Sequence, residues 1–321
     1  MNIPEQVSHY TECYIAFLDL LGVRSLVKRA GQDRRLYEAL VAALTETRDT
    51  SAFWREVRNL QTNESTGWRL QVQAFSDCVV LFIPTESNML PWLLASVRRL
   101  WDRLIRLGVC LRGAVTIGGM HWDARWRAAG KPSENTEGEA NATTAIAFGP
   151  GLVQAYELES QHAVYPRILI AEALFDHVEK LEKKGQPGIS PFGKSPASRL
   201  SDFFRHDSDG LFHLDVLHPG VNRRDVILQT QESDENGSRI LRNHFDETTR
   251  EEWLHQVRTF IDKELAGCND ETVRSKYEWF ARYYDNTLDV SDPFQASTNI
   301  PPPGAIPLKW TTLQPREATD G

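Results

Sequence analysis

The sequence predicts an α/β fold of the α+β kind, in which helices pack on one face of an antiparallel-rich sheet. Two apolar stretches, residues 14–19 and the glycine-interrupted residues 109–123, indicate buried strands. Residues 68–84 are typical of a tight β-hairpin with Asp77 at or beside its turn. The hairpin, and the absence of a GxGxxG motif, exclude a doubly wound dinucleotide-binding sheet.

Helical and strand patterns alternate along the rest of the chain. An amphipathic helix starts at Pro91 and stops at Gly108, and its arginines are expected on a solvated face. Glycines in the strand that follows suggest close approach of a ligand or another backbone. Further patterns predict a helical region at residues 23–60, a strand, turn and helix at 144–160, a strand and helix at 167–185, a loop at 186–210 and a strand at 211–217.

Composition changes along the chain divide it into three parts. Residues 13–220 form the predicted catalytic domain, and residues 221–290 a helical C-terminal extension with aromatic helix faces. Residues 291–321 are rich in Pro, Ser and Thr and are expected to be disordered, as is a polar excursion at residues 128–141.

Charge and cysteine content exclude several classes of function. The 321 residues carry a formal net charge of −8, which argues against binding to a nucleic-acid polymer. No apolar run approaches a membrane span, and the N-terminus lacks the pattern of a secretory signal, so we expect a cytoplasmic protein. The four cysteines form no CxxC pair, which makes a zinc or redox site unexpected.

Two acidic residues interrupt the most apolar strands, and they are the candidate site. Asp19 ends the first strand and Asp77 lies in the hairpin. Carboxylates on neighbouring strands suit a hard divalent cation that carries phosphate oxygens. The turn at Leu20, Leu21 and Gly22 leads into a helix, whose first N–H groups suit an anion. Taken singly, an aspartate after a strand, as Asp19 is, is more often a turn or N-cap residue, and Ser76-Asp77 also fits a simple turn dipeptide.

Four motifs in this order resemble the core of class III nucleotidyl cyclases: FLDLLG, FSDCVV, RGAVTIGG and FGPGLVQAYELE. The closer resemblance is to the pyrimidine (uridylate or cytidylate) cyclases of the Pycsar antiphage defence system of bacteria. It covers residues 13–220, and the segment KYEWFARYYDN near the C-terminus also fits. The resemblance implies a homodimer with composite active sites, and a downstream effector that responds to the cyclic nucleotide.

The resemblance also implies roles for individual residues. Asp19, Asp77 and the carbonyl of Leu20 would hold two divalent cations, Mn²⁺ or Mg²⁺. The segment that would lie against the triphosphate consists of Leu20, Leu21, Gly22, Val23 and Arg24.

Departures from the purine cyclases concern base recognition and catalysis. Gln73 stands where they carry a lysine, and an amide can read a pyrimidine edge because it both donates and accepts hydrogen bonds. Val153 and Glu157 stand where they carry an asparagine and an arginine on one helix, and residues 146–148 lack their acidic group. Arg112 is the cationic candidate for catalysis, and an ion-pair role fits it equally well.

The expected function is therefore a metal-dependent pyrimidine nucleotide cyclase that makes 3′,5′-cyclic UMP and pyrophosphate from UTP. Three alternatives stay open: a cytidylate cyclase acting on CTP, a purine cyclase, and a catalytically inactive nucleotide-binding dimerisation module.

Overall fold

The computed structural model describes residues 9–38, 40–41, 70–75, 77–106, 108–122, 147–184, 199–218, 227–233, 239–245 and 249–289. The chain divides into two compact units, Met1–Glu247 and Thr248–Gly321. No helix within these ranges is both long enough and apolar enough to cross a membrane.

The first unit contains one large sheet and the helices that pack on it. The strands of this sheet are β1 (Thr11–Leu21), β2 (Gln71–Phe75), β3 (Cys78–Pro84), β4 (Cys110–Trp122), β5 (Ala147–Phe148), β6 (Ile168–Ile170), β7 (Phe204–His206) and β8 (Phe212–Leu214). Its helices are α1 (Val23–Ala30), α2 (Leu90–Arg106), α3 (Pro150–His162) and α4 (Glu172–Lys183), with 3-10 turns at Thr85–Ser87 and Leu200–Phe203 and further helical residues at 34–38.

The sheet has the strand order β2-β3-β1-β4-β6-β8-β7, with β5 beside β4. Only the β4–β6 pair is parallel among these strands. From β1 to β4 the numbered elements follow the order β1-α1-β2-β3-α2-β4, and β1 and β4 are neighbours in the sheet. The prediction of a mixed fold with a mostly antiparallel sheet is confirmed, and so is the hairpin with Asp77 in its turn.

Strand β1 is buried on both faces, so the prediction of helices on one face is wrong. Tyr14 and Ile15 point to opposite faces, and both are at most 1% exposed. On one face the Tyr14 hydroxyl lies 2.9 Å from Nε2 of His177 on α4. On the other, Ile15 packs in one cluster with Ala155 of α3. Residues 13–16 of β1 are buried, so neither face of this part of the strand is exposed to water and helices cover both faces.

Glycines let α3 approach the sheet closely. A Cβ added to Gly118 of β4 would lie 2.7 Å from Cα of Gly151 on α3, and one added to Gly151 would lie 2.4 Å from Cδ1 of Ile15. This close approach of two backbones is one of the alternatives that the glycine pattern predicted. It fixes the position of α3 over β1 and β4.

The arginine-bearing face of α2 is covered, contrary to the expectation of a solvated face. Arg98 and Asp102 are each 6% exposed. Nε of Arg98 donates to the carbonyl of Val216 at 3.2 Å, and burial lowers the pKa of Arg99 to about 10. The segment after β8 packs on this face, and its Val216 lies 118 residues after Arg98 in the sequence.

Two sequence predictions missed strands. Part of the predicted loop 186–210 forms a 3-10 turn and β7. The predicted helical extension contains a two-stranded antiparallel hairpin, β9 (Ile227–Ser233) and β10 (Arg239–Phe245). The compact units divide at Glu247–Thr248. The segments predicted to be disordered, residues 128–141 and 291–321, lie outside the described residues.

The second unit contains the helices α5 (Arg250–Gly267) and α6 (Glu271–Asp289), which lie within the predicted helical extension. Thr249 starts α5 with a capping box, because its hydroxyl accepts from the Glu252 amide and the Glu252 carboxylate accepts from the Thr249 amide. The rings of Phe260 and Tyr277 meet edge to face, with their centroids 5.9 Å apart. The aromatic residues thus pack between helices, as predicted.

Candidate functional site

The end of β1 meets the turn of the β2–β3 hairpin. Asp19 pairs with Cys78 in the β1–β3 register. The Leu20 amide donates to the carbonyl of Asp77 at 2.9 Å. Three residues that the sequence singled out, Asp19, Leu20 and Asp77, are therefore neighbours in the structure, although Asp77 lies far along the chain from the other two.

The chain turns directly from β1 into α1. Leu21 is the last residue of β1, and Gly22 adopts a left-handed conformation with φ 73°, which a glycine accommodates without strain. Helix α1 starts at Val23, and its N-cap residue, Gly22, provides no side-chain acceptor for the first backbone N–H groups. The side chains of Val23 and Arg24 lie outside the described residues.

A row of three side chains crosses the sheet at this point. Cys78, Asp19 and Arg112 are register partners on β3, β1 and β4, so they share one face. This is the face of Ile15 and therefore the face that α3 covers. Nε of Arg112 donates to Oδ2 of Asp19 at 2.8 Å, and Nη1 donates to the Ala163 carbonyl at 3.5 Å. Arg112 thus compensates the charge of Asp19.

Helix α3 adds a second carboxylate to Arg112. Oε1 of Glu159 lies 2.8 Å from Nε of Arg112, the same nitrogen that donates to Asp19. The Glu159 side chain is 3% exposed, whereas those of Arg112 and Asp19 are 26% and 19% exposed. The cluster therefore holds two acids around one arginine, open to solvent on the Asp19 side and closed on the Glu159 side.

Burial and negative charge set the proton affinities in this cluster. Burial raises the pKa of Glu159, Arg112 lowers it in part, and the charge of Asp19 raises it again. Burial also raises the pKa of the Cys78 thiol, and the charges of Asp77, Asp19 and Glu159 raise it further. All three carboxylates therefore raise the pKa of one group in this row of side chains, the Cys78 thiol.

Gln73 lies on the same face, one row away. It pairs with Val80 of β3, which in turn pairs with Phe17 of β1, two residues before Asp19. Val153 and Glu157, which the resemblance aligns with the purine-cyclase pair, are exposed on α3. The structure thus brings Gln73 near the row of Asp19 and leaves Val153 and Glu157 on the surface.

The donor set around Asp19 is compatible with a cation that keeps other ligands. Within the described ranges, no three His, Cys, Asp or Glu side chains are grouped as a complete metal site. Mg²⁺ is commonly held by one or two carboxylates, with water and substrate phosphates completing its shell. Asp19 and Asp77, together with the Leu20 carbonyl, supply hard oxygen donors of that kind.

Sequence reasoning missed Glu159, although a signal was present. Gly151, Ala155 and Glu159 are the buried residues of α3, and they follow one another at spacings of four. Two small residues at helical spacing mark the side of α3 that faces the sheet. A glutamate that continues this stripe has to meet a charge partner there, and Arg112 provides it.

No protein-family model matches the chain, and no curated protein is significantly similar to it.

Proposed function

We propose that this protein is a metal-dependent nucleotidyl cyclase that converts UTP to 3′,5′-cyclic UMP and pyrophosphate. In this reaction the ribose 3′-oxygen attacks the α-phosphorus, the 3′-hydroxyl loses its proton, and the bond from the α-phosphorus to the pyrophosphate oxygen breaks. The observation that carries the proposal is the meeting of Asp19 and Leu20 with Asp77, fixed by the Leu20–Asp77 backbone hydrogen bond.

The residues at this place are of the types that such a reaction needs. Asp19, Asp77 and the Leu20 carbonyl would hold Mn²⁺ or Mg²⁺, which when bound lowers the pKa of the 3′-hydroxyl and offsets the charge of the leaving group. The N–H groups at the start of α1, reached through the left-handed Gly22, are suited to binding phosphate oxygens. Arg112 adds a positive charge beside the same strand end.

The choice of a pyrimidine rests on Gln73 and on the resemblance to the Pycsar cyclases. A glutamine amide presents both a donor and an acceptor to a base edge. A site that leaves a buried polar group unpaired with the wrong base discriminates strongly. The amide can serve uracil or cytosine by flipping, so UTP is preferred to CTP here by resemblance alone. The role in antiphage defence and the composite homodimeric site rest on the same resemblance.

One observation favours a second candidate, an inactive nucleotide-binding module. Arg112 donates to Asp19 itself, and a carboxylate compensated by an arginine is a weaker cation ligand. Val153 and Glu157 lack the functional groups that purine cyclases place on this helix. Catalysis would then need other groups for the transition state.

Product analysis separates these candidates. The purified protein is incubated with ATP, GTP, CTP and UTP at equal concentrations with Mn²⁺, and the products are identified by mass spectrometry. We expect cyclic UMP to predominate. Predominant cyclic CMP would establish the cytidylate alternative, predominant cyclic AMP or cyclic GMP would overturn the pyrimidine assignment, and no cyclic product would favour the inactive module.

A further inference from the structure

One hydrogen atom on Arg112 faces two carboxylates. Nε of arginine carries a single hydrogen, and here it is bonded to Oδ2 of Asp19 at 2.8 Å. Oε1 of Glu159 lies at the same distance from this nitrogen but is not aligned with its N–H, so this buried oxygen accepts no hydrogen bond from the described residues. A buried carboxylate oxygen in this state is costly, because it has lost water without gaining a donor.

The backbone holds Glu159 in place, so the arginine is the part that can adjust. Gly151 and Ala155 seat α3 against the sheet, and the contact of Gly151 with Gly118 leaves no room for a Cβ. Arg112 is more exposed than Glu159 and is held by the Asp19 bond and by a long contact to the Ala163 carbonyl. A small rotation of its guanidinium would redirect the N–H from Asp19 to Glu159.

We propose that Glu159 is a positioning residue that takes over the Nε–H of Arg112 when a divalent cation binds Asp19. This inference rests on the proposed function, because it assumes a cation site at Asp19. A cation arriving at Asp19 repels the guanidinium and competes with it for the carboxylate. Glu159 offers the displaced guanidinium an acceptor of opposite charge at no greater distance, and gains the hydrogen bond that it lacks.

Mn²⁺ binding to the intact protein tests this role. The loss of the free Mn²⁺ signal in electron paramagnetic resonance gives the affinity without any substrate or turnover. Glu159→Gln should weaken Mn²⁺ binding about tenfold, because the neutral amide no longer draws Arg112 away from Asp19. The double variant Arg112→Met/Glu159→Gln should return to wild-type affinity, because no guanidinium then competes with Mn²⁺ for Asp19. Glu157→Gln, an exposed glutamate on the same helix, should bind Mn²⁺ as wild type does.

The outcomes separate this role from the cation site itself. Wild-type affinity in Glu159→Gln, with clear Mn²⁺ binding by the unaltered protein, would overturn the role of Glu159 and leave the cation site standing. A loss that persists in the double variant would also overturn it, since the loss would then come from disturbed packing rather than from Arg112. If the unaltered protein bound no Mn²⁺, or bound it equally well after Asp19→Asn, both the cation site and this inference would fall.

Discussion

Arg112 of β4 and Arg167, the residue before β6, each contact two carboxylates, yet the geometries of the two clusters differ. The Gly113 amide donates to the Arg167 carbonyl at 3.1 Å, so the two arginines are on adjoining segments. Both arms of the Arg167 guanidinium donate to these acids: Nη1 donates to Asp207 and, at 3.2 Å, to Asp209, and Nη2 donates to the other oxygen of Asp209. Arg112 presents one nitrogen to both Asp19 and Glu159. The first arrangement satisfies every acid, and the second satisfies one at a time.

Exposure and proton affinity follow the same division. The Arg167 side chain is 1% exposed and also lies over the Tyr165 ring, 5.3 Å from its centroid. Its hydrogen bond lowers the pKa of Asp209. Burial raises the pKa of Glu159 despite the nearby Arg112. At the 41% exposed Asp209 the hydrogen bond from Arg167 thus outweighs burial, whereas at the 3% exposed Glu159 burial outweighs the attraction of Arg112. One arginine and two carboxylates thus form a cluster with separate hydrogen bonds to both acids at Arg167, and a cluster in which both acids face a single N–H at Arg112.

The largest expected difference between the two clusters is in stability. Arg167→Met should lower the free energy of unfolding by about 3–5 kcal/mol, because it removes a fully buried guanidinium together with its hydrogen bonds to Asp207 and Asp209. Arg112→Met should cost at most about 2 kcal/mol, since Asp19 reaches solvent and Glu159 can take up a proton. Urea unfolding followed by far-ultraviolet circular dichroism measures both. An Arg112→Met loss as large as that of Arg167→Met would break the distinction between the clusters.

A smaller effect concerns pH, with opposite signs in the two clusters. The pKa of Glu159 is raised above its ordinary 4.5, so the stability it contributes is complete below pH 4.5 and is lost as the pH rises through the folded-state value. The pKa of Asp209 is lowered below 3.8, so its contribution is complete above pH 3.8 and is lost as the pH falls. We expect the melting temperature of Glu159→Gln, relative to wild type, to rise between pH 4.5 and 7.5.

Between about pH 4.5 and 7.5 the decrease in melting temperature caused by Asp209→Asn should stay constant. Asp209 is ionised in both the folded and the unfolded state over most of this interval. Thermal melts of wild type and the two variants at several pH values check both slopes. A relative melting temperature of Glu159→Gln that falls as the pH rises would show that Glu159 is stabilised as an anion, and the shared-donor account of Arg112 would then fail.

The sequence was informative where one strand or helix carried its own pattern. The apolar run of β1, the hairpin around Asp77 and the amphipathic α2 follow from local periodicity, and the structure contains all three. The short β7 was missed because Phe204, Arg205 and His206 are not part of an apolar run, whereas the equally short β6 and β8 lie in such runs. The hairpin of β9 and β10 was missed because its strands are largely polar.

The remaining errors come from contacts between distant segments. Arg98 looked solvated because its helix face is charged, and the segment around Val216 that buries it cannot be paired with α2 from sequence alone. For the site, the sequence singled out Asp19, Asp77 and Arg112 but did not predict that Arg112 would bond to Asp19. The partnership with Glu159 depends on where α3 crosses the sheet, and the contact of Gly118 with Gly151 decides that.

The central claim is that Asp19 and Asp77 together form a cation-dependent active site. Its most direct test is the rate of cyclic UMP formation from UTP and Mn²⁺ by Asp19→Ala, Asp77→Ala and their double variant, with Asp176→Ala, an exposed aspartate on α4, as the matched control. We predict that each single variant abolishes turnover while keeping the circular dichroism spectrum of wild type, that the double variant is no worse than either, and that the control is as active as wild type, because both aspartates serve one site. Full activity in either single variant at Asp19 or Asp77 would contradict the claim.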